Sequence, residues 1–172
     1  MKARPLNRSK KQMMLTAMHN RGCLQVRDAT DQDTDFLFTL FRLIKTEELA
    51  APHWNPALHA QVLHLQFHAH QHHYRDTRQN ILQLAETPIG RLILQPTEEA
   101  LLLADIALLP DYRAQGIGTA LLRQLQSEAA AEQKPLRLSV LPGSRAAHLY
   151  QRLDFKNIGK TDTHEQMEWS HR

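Results

Sequence analysis

The sequence predicts a single-domain α/β fold: a layered sheet with helices between its strands, in the order β-α-α-β-β-β-α-β-α-β-β. Three observations carry this. Leu101 to Ala120, LLLADIALLPDYRAQGIGTA, runs from an apolar segment through a proline-and-glycine break into a helical start. Residues 81–108 alternate apolar runs with short turn signals, as an antiparallel meander does. On both sides of the meander, apolar residues recur at helical spacing. Helices interleaved with strands around a meander indicate an α/β layer.

Composition agrees. A chain of 172 residues can bury a sizeable core in one domain. Its 42% hydrophobic and 23% charged content is that of a globular protein, not a disordered one. No apolar run approaches the length that crosses a bilayer. The basic N-terminus has no apolar h-region, so a cytoplasmic protein is expected rather than a secreted one. Cys23 is the single cysteine, which excludes an intramolecular disulfide and a multi-cysteine zinc site.

The formal charge of +3 is unevenly spread. Residues 1–22 hold Lys2, Arg4, Arg8, Lys10, Lys11 and Arg21 and no acid. They read as a disordered, solvated extension, and residues 23–172 as the folded domain. Met13, Met14 and Met18 leave a later translation start open. Outside the extension the balance is mildly acidic, which suits a cationic amine as substrate.

The elements follow in order. Residues 23–30, CLQVRDAT, alternate as a first strand. Asp28 to Asp35 is a cap-rich turn, with Thr30, Asp31 and Asp33 as N-cap candidates. Phe36, Leu37, Leu40, Phe41 and Ile44 mark the first helix, which Pro52 ends. Pro56 opens a second helix, running to about Arg75. Its expected apolar stripe is Leu58, Val62, Leu65 and Ala69, widened by Leu63, Phe67 and Tyr74. His64, His68 and His72 fall at i, i+4 and i+8 on another face. That spacing can hold a metal, but no carboxylate or cysteine joins the cluster. A solvated or cleft-facing histidine surface is expected, and no metal.

Ile81 to Glu86 and Ile89 to Leu94 read as strands around a Thr87-Pro88 turn. Pro96 to Glu99 turns again, and Ala100 to Leu108 is the central strand. After the glycines comes a helix from Ile117 to Gln133, with Leu121, Leu122 and Leu125 on its core face; Lys134-Pro135 stops it. Residues 136–141 alternate as a strand, and Pro142-Gly143 turns. Ser144 caps a helix carrying Ala147, Leu149, Tyr150 and Leu153. FKNIGK and HEQMEW form a closing hairpin.

A strand, a glycine loop and a helix N-terminus together make an anion site. The loop is not a Walker A loop, because no Gly-Lys-Ser/Thr follows. It is also a poor dinucleotide fingerprint, lacking the third glycine and the distal acid.

Arg113, Gly116 and Gly118 fill a Gln/Arg-x-x-Gly-x-Gly/Ala pattern. With the strand ADIALLPDYR before it, the helix TALLRQLQSEAAAE after it and AAHLYQRLDF further on, the chain resembles the GNAT N-acetyltransferase superfamily. The resemblance is good over Ile81 to Trp169 and looser before that. It implies a mixed, mostly antiparallel and strongly twisted sheet, split into a V after its fourth strand. It also implies acetyl-CoA as cosubstrate, with the pyrophosphate on Arg113, Ala114, Gln115, Gly116, Ile117, Gly118 and Thr119. The pantetheine arm would pair with Ile106, Ala107 and Leu108, and the Leu108 or Leu109 N–H would lie near the thioester carbonyl. Tyr150 corresponds to the general acid that protonates the coenzyme A thiolate. Many relatives have Asn where this chain has Ser144 beside the cofactor arm, and Gly where it has Asp154.

The general base is not fixed by the residues. Asp105 is one candidate, and Glu47 or Glu48 near His53 and Trp54 another. The expected function is transfer of acetyl to the amine of a small molecule or peptide by direct attack, since Cys23 lies far from the thioester. The alternative is a non-catalytic acyl-CoA-binding module of the same fold. No membrane partner is expected and nucleic acid is disfavoured, whereas a homodimer stays open.

Overall fold

The computed structural model describes residues 16–19, 22–48 and 55–171. Its eight strands form one sheet in the order β1-β2-β3-β4-β5-β6-β8-β7. The strands are β1 (Thr16–His19), β2 (Gly22–Asp28), β3 (Gln79–Leu84), β4 (Thr87–Pro96), β5 (Leu101–Leu108), β6 (Leu136–Val140), β7 (Lys156–Lys160) and β8 (Glu165–Trp169). The helices are α1 (Thr34–Glu48), α2 (Pro56–His73), α3 (Ile117–Ala131) and α4 (Arg145–Arg152). Among the described residues only β5 and β6 pair in parallel, with α3 as the crossover between them. No described helix is long and apolar enough to cross a membrane.

The sheet begins earlier than alternation suggests. Thr16–His19 lies inside the basic segment expected as an extension, and it pairs antiparallel with β2. Gly22, at φ +126°, supplies the backbone conformation for the reversal. Residues 1–15 lie outside the described residues. The β3–β4 turn also differs from expectation. Ala85 and Glu86, both at positive φ, make the reversal, while Thr87 and Pro88 begin β4. Two successive positive φ values match the twist of flanking strands.

Two apolar clusters sit on opposite faces of the sheet. The larger joins Leu92, Leu94, Leu101 and Leu103 to Leu121, Leu122 and Leu125 of α3 and to Tyr150 and Phe155. The smaller joins Leu37 and Phe41 of α1, Phe67 of α2 and Ile81. The α2 stripe is corrected here. Leu63 and Phe67 are buried, whereas Leu58 is 53% and Leu65 69% exposed. The helix turns the face that meets Phe38 and Phe41 inward, with ring centroids 5.2 and 5.6 Å from Phe67. Aromatic contact outweighs the extra leucines on the other face.

Two irregularities in β5 shape the site. Its pairing with β6 ends at Leu103, while β4 follows it along its length. The sheet therefore splays beyond Leu103, which is the expected V. The second is a bulge. Ile93 pairs with Asp105 and Leu94 with Leu103, so Ala104 is the extra residue. One inserted residue reverses which face each later side chain meets. Leu101 and Leu103 point into the α3 cluster, and after the bulge Ile106 and Leu108 pack there. Asp105 is thereby turned to the opposite face, with α1 and α2.

Candidate active site

The loop after β5 is built by local backbone. Leu109 donates its N–H to Ile89 O at 2.9 Å, and a short 3-10 turn covers Pro110–Tyr112. Ala114 at φ 56° and Gly116 at φ 84° then reverse the chain into α3. Gly116 is the N-cap residue and has no side chain to cover the helix end. By helix geometry the N–H groups of Ile117, Gly118 and Thr119 have no carbonyl partner within α3. A Cβ on Gly116 would meet nothing within 4 Å, so conformation rather than space favours glycine there.

Arg113 and Gln115 serve the loop itself. Arg113 Nε donates to Leu108 O at 2.9 Å, tying the loop to the end of β5. Gln115 Nε2 donates to Asp111 O. In an antiparallel strand, successive residues direct their N–H and C=O to opposite sides. Leu109 N–H faces β4 and is occupied by Ile89, so the N–H groups of Leu108 and Ile106 face the open side. Of the two expected thioester donors, only Leu108 keeps a free direction.

A cavity of about 470 Å³ runs along the splay. One wall holds Ile106, Ala107, Leu108, Arg113, Gly118, Leu149 and Tyr150. The other holds Phe41, Ile44 and Lys45 of α1, His70 of α2, Arg91 of β4 and Asp105 of β5. The structure thus brings Tyr150, Asp105 and the central strand together around one space.

Tyr150 reaches it from α4. Ser144 Oγ accepts from Ala147 N at 3.1 Å and so caps that helix, which is the role its hydroxyl fills. Asp154, at φ 65°, takes the left-handed position after the helix. Its N–H bonds Gln151 O, and Phe155 N–H bonds Tyr150 O, closing the last turn. Tyr150 is 6% exposed. Burial, helped by the Asp105 charge, pushes its phenol up to about 12. It therefore stays protonated across neutral and mildly alkaline pH.

Asp105 accepts a hydrogen bond from Arg91 Nε at 2.6 Å, with side-chain exposures of 27% and 3%. Glu47 lies on the last turn of α1, but its side chain and that of Glu48 are outside the described residues, as are His53 and Trp54. Cys23, on β2, does not line the cavity. His64, His68 and His72 are exposed, and His72 Nε2 lies 2.8 Å from Arg75 Nη1. No three potential metal-ligating side chains converge among the described residues.

Sequence reasoning missed Arg91, His70 and Lys45. Arg91 had a signal: it is the single charge in the strand TPIGRLILQP. His70 had one too, since Leu63, Phe67, His70 and Tyr74 recur at spacings of four, three and four. Burial and the Arg91 charge push the His70 imidazole down to about 4, so it is neutral at pH 7.

Residues 70–157 match the family model of the acetyltransferase (GNAT) domain. No curated protein matches the chain. Among solved structures, the fold matches the PaiA N-acetyltransferase of Thermoplasma acidophilum, crystallised with coenzyme A. The TM-score is 0.66 at 16% identity, over 86% of this chain and 99% of that one. An acetyltransferase of Thermus thermophilus matches with a TM-score of 0.63 at 19% identity, over 91% and 100%. A GNAT-family acetyltransferase of Listeria monocytogenes matches at 0.62 and 13%, over 91% and 100%. With its splayed sheet, glycine loop and buried tyrosine in one cavity, the chain belongs to the GNAT acetyltransferase family.

Proposed function

We propose that the protein is an acetyl-CoA-dependent N-acetyltransferase that acts by direct attack of a primary amine. The observation that carries this is Tyr150: a protonated, buried phenol in the same cavity as the open edge of β5. Coenzyme A crystallised with the Thermoplasma relative supports the cosubstrate. The α3 N-terminus and the loop amides from Gln115 to Thr119 hold the pyrophosphate. Ile106 and Leu108 offer the pantetheine amides a strand edge. Leu108 N–H donates to the thioester oxygen as it gains negative charge.

The acceptor nitrogen attacks the carbonyl carbon, the new C–N bond forms and the C–S bond breaks. Tyr150 gives its proton to the departing thiolate and regains one from solvent. Asp105 lines the cavity and takes the first proton of the ammonium before attack, and the second passes to solvent as the amide forms.

The test follows free thiol released from acetyl-CoA across a panel of amines. Tyr150→Phe is expected to lower kcat about 100- to 10,000-fold while coenzyme A affinity, read by calorimetry, stays within about twofold. No thiol release together with no coenzyme A binding would sink the proposal. Coenzyme A binding without transfer to any amine would make the chain the acyl-CoA-binding module instead.

A further inference from the structure

Arg91 is a charged side chain where the surrounding strand is wholly apolar. Its neighbours along β4, Ile89, Leu92 and Ile93, are 0% exposed, and the Arg91 side chain itself is 3% exposed. Replacing a buried ion pair by apolar residues of similar volume is often neutral or stabilising. The charge therefore calls for a reason other than stability. The strand register shows what it reaches. Arg91 stands directly opposite Ala107, and Asp105 opposite Ile93. Asp105 is thus the diagonal neighbour of Arg91 on one face of the sheet, within reach of a long side chain. Ala107 carries only a methyl group and leaves room for the guanidinium to cross. Arg91 Nε donates to Asp105 Oδ2 at 2.6 Å. The bulge at Ala104 is a precondition, because without it Asp105 would face α3, away from Arg91.

The two partners differ in what they offer a ligand. The Arg91 side chain presents almost no surface to the cavity, whereas that of Asp105 is 27% exposed. The Asp105 charge also acts on His70 and Tyr74 of α2 and on Tyr150 of α4, so it sits where these elements converge. We propose that Arg91 is a positioning residue for the reaction: through Nε its buried guanidinium holds Asp105 Oδ2 and so fixes the carboxylate with Oδ1 toward the acceptor ammonium. The proposal rests on the N-acetyltransferase reading above, with Asp105 as base. A base works only within hydrogen-bond reach of the proton it takes, about 2.6–3.2 Å. A carboxylate left to rotate about its two side-chain bonds spends part of its time outside that reach. The proton passes from the ammonium nitrogen to Oδ1, the neutral amine attacks, and the carboxyl later returns the proton to solvent. Arg91 keeps its charge throughout.

The experiment is a double-mutant cycle of Arg91→Met, Asp105→Asn and the two together. Met keeps the volume of the arginine stem. Asn keeps an oxygen for Arg91 Nε but takes no proton from an ammonium. Each protein is assayed by thiol release from acetyl-CoA, using the fastest acceptor in a panel of small amines, amino acids and short peptides. Asp105→Asn is expected to lower kcat about 100- to 10,000-fold. Arg91→Met is expected to lower it about 10- to 100-fold, as a displacement of about 1 Å at a reacting group does. The KM for acetyl-CoA should stay within about twofold in both. The double variant is expected within about threefold of Asp105→Asn alone, because a residue that acts through another has nothing left to act on. Arg91→Lys goes through the same cycle, so that the test stands if Arg91→Met does not fold. It keeps the charge but sets its nitrogen one bond beyond the Nε position, and a loss of about threefold or more is expected in the single change and none in the double. Unchanged kcat in the Arg91 variants, or the same loss with and without Asp105→Asn, would overturn the proposal. A fall in coenzyme A affinity parallel to the fall in rate would also overturn it and make Arg91 a support of the β5 edge. An unchanged kcat in Asp105→Asn would remove the base and this proposal with it, while leaving acetyl transfer intact. No thiol release from the wild-type protein with any acceptor would instead remove the N-acetyltransferase reading.

Discussion

Gly90 sets the distance between β4 and β5 where the cofactor edge begins, and Gly90→Ala tests that geometry. A Cβ on Gly90 would lie 2.3 Å from Ala107 O and 2.8 Å from Leu108 Cδ2. Carbon–oxygen contacts between strands settle near 3.3 Å, so the shortfall is about 1 Å. The obstructing atom is a backbone carbonyl, which cannot swing away as a side chain can. Either β4 moves off β5 or one strand kinks. The nearby Leu109 N to Ile89 O bond, 2.9 Å long, would then be stretched beyond hydrogen-bonding range. Overpacking costs about 1–3 kcal/mol and the lost bond about 1 more. For a chain of this size the sum lowers Tm by about 5–15 °C. A glycine-to-alanine change elsewhere in a strand raises stability by about 0.5–1 kcal/mol, so the sign discriminates. Thermal melts by circular dichroism give the answer, and calorimetry with coenzyme A reports whether the β5 edge has shifted. An unchanged or raised Tm would refute the reasoning.

Three further outcomes are expected. Ser144→Ala removes the α4 cap and lowers stability by about 1 kcal/mol, read as a 2–4 °C fall in Tm; no fall would mean the cap is replaced by water. Asp154→Gly relieves a left-handed residue and raises stability by about 0.5 kcal/mol, and a fall in the urea midpoint would contradict that. His70 gives an acid-side slope: its folded pKa of about 4 lies below the unfolded 6.5, so the unfolded chain takes the proton first. Stability is full above pH 6.5 and declines as pH falls toward 4, by about 1–2 kcal/mol once partial solvent exposure is allowed for. His70→Phe should flatten that slope in urea titrations. Identical slopes in both proteins would refute it. Asp33, held well below the usual carboxylate range by its hydrogen bond to Arg27, acts only at more acid pH.

The parts of the site legible in the sequence are those written in local chemistry. The glycine loop is punctuated by Pro110, Gly116 and Gly118, and its backbone depends on those residues almost independently of the rest of the chain. Ser144 and Asp154 bracket α4 in the same local way. What was illegible depends on contacts between distant segments. In α2, apolar residues lie on both faces, and only the rings of Phe38 and Phe41 decide that Phe67 turns inward. The Ala104 bulge leaves no mark in LLLADIAL, yet it moves Asp105 to the other face of the sheet. Arg91 reads as a strand residue until Asp105 is placed beside it. The first strand was hidden by its basic neighbours, although Gly22 marked the turn.

The parting of β5 from β6 at Leu103 also bears on how the protein is handled. Ile106 and Leu108 present strand groups without a neighbouring strand, in the middle of a sheet rather than at its rim. Exposed edges of this kind template pairing with other chains and seed aggregation. Here the flanking α3 and α4 narrow the approach to a slot that a slim ligand enters more readily than another protein's strand. A ligand seated there stabilises the fold by mass action, by about 2.7 kcal/mol at one hundred times its dissociation constant, and so raises the unfolding temperature. Supplementing purification buffers with coenzyme A should therefore reduce loss to aggregates on warming, and light scattering during a heating ramp would show it.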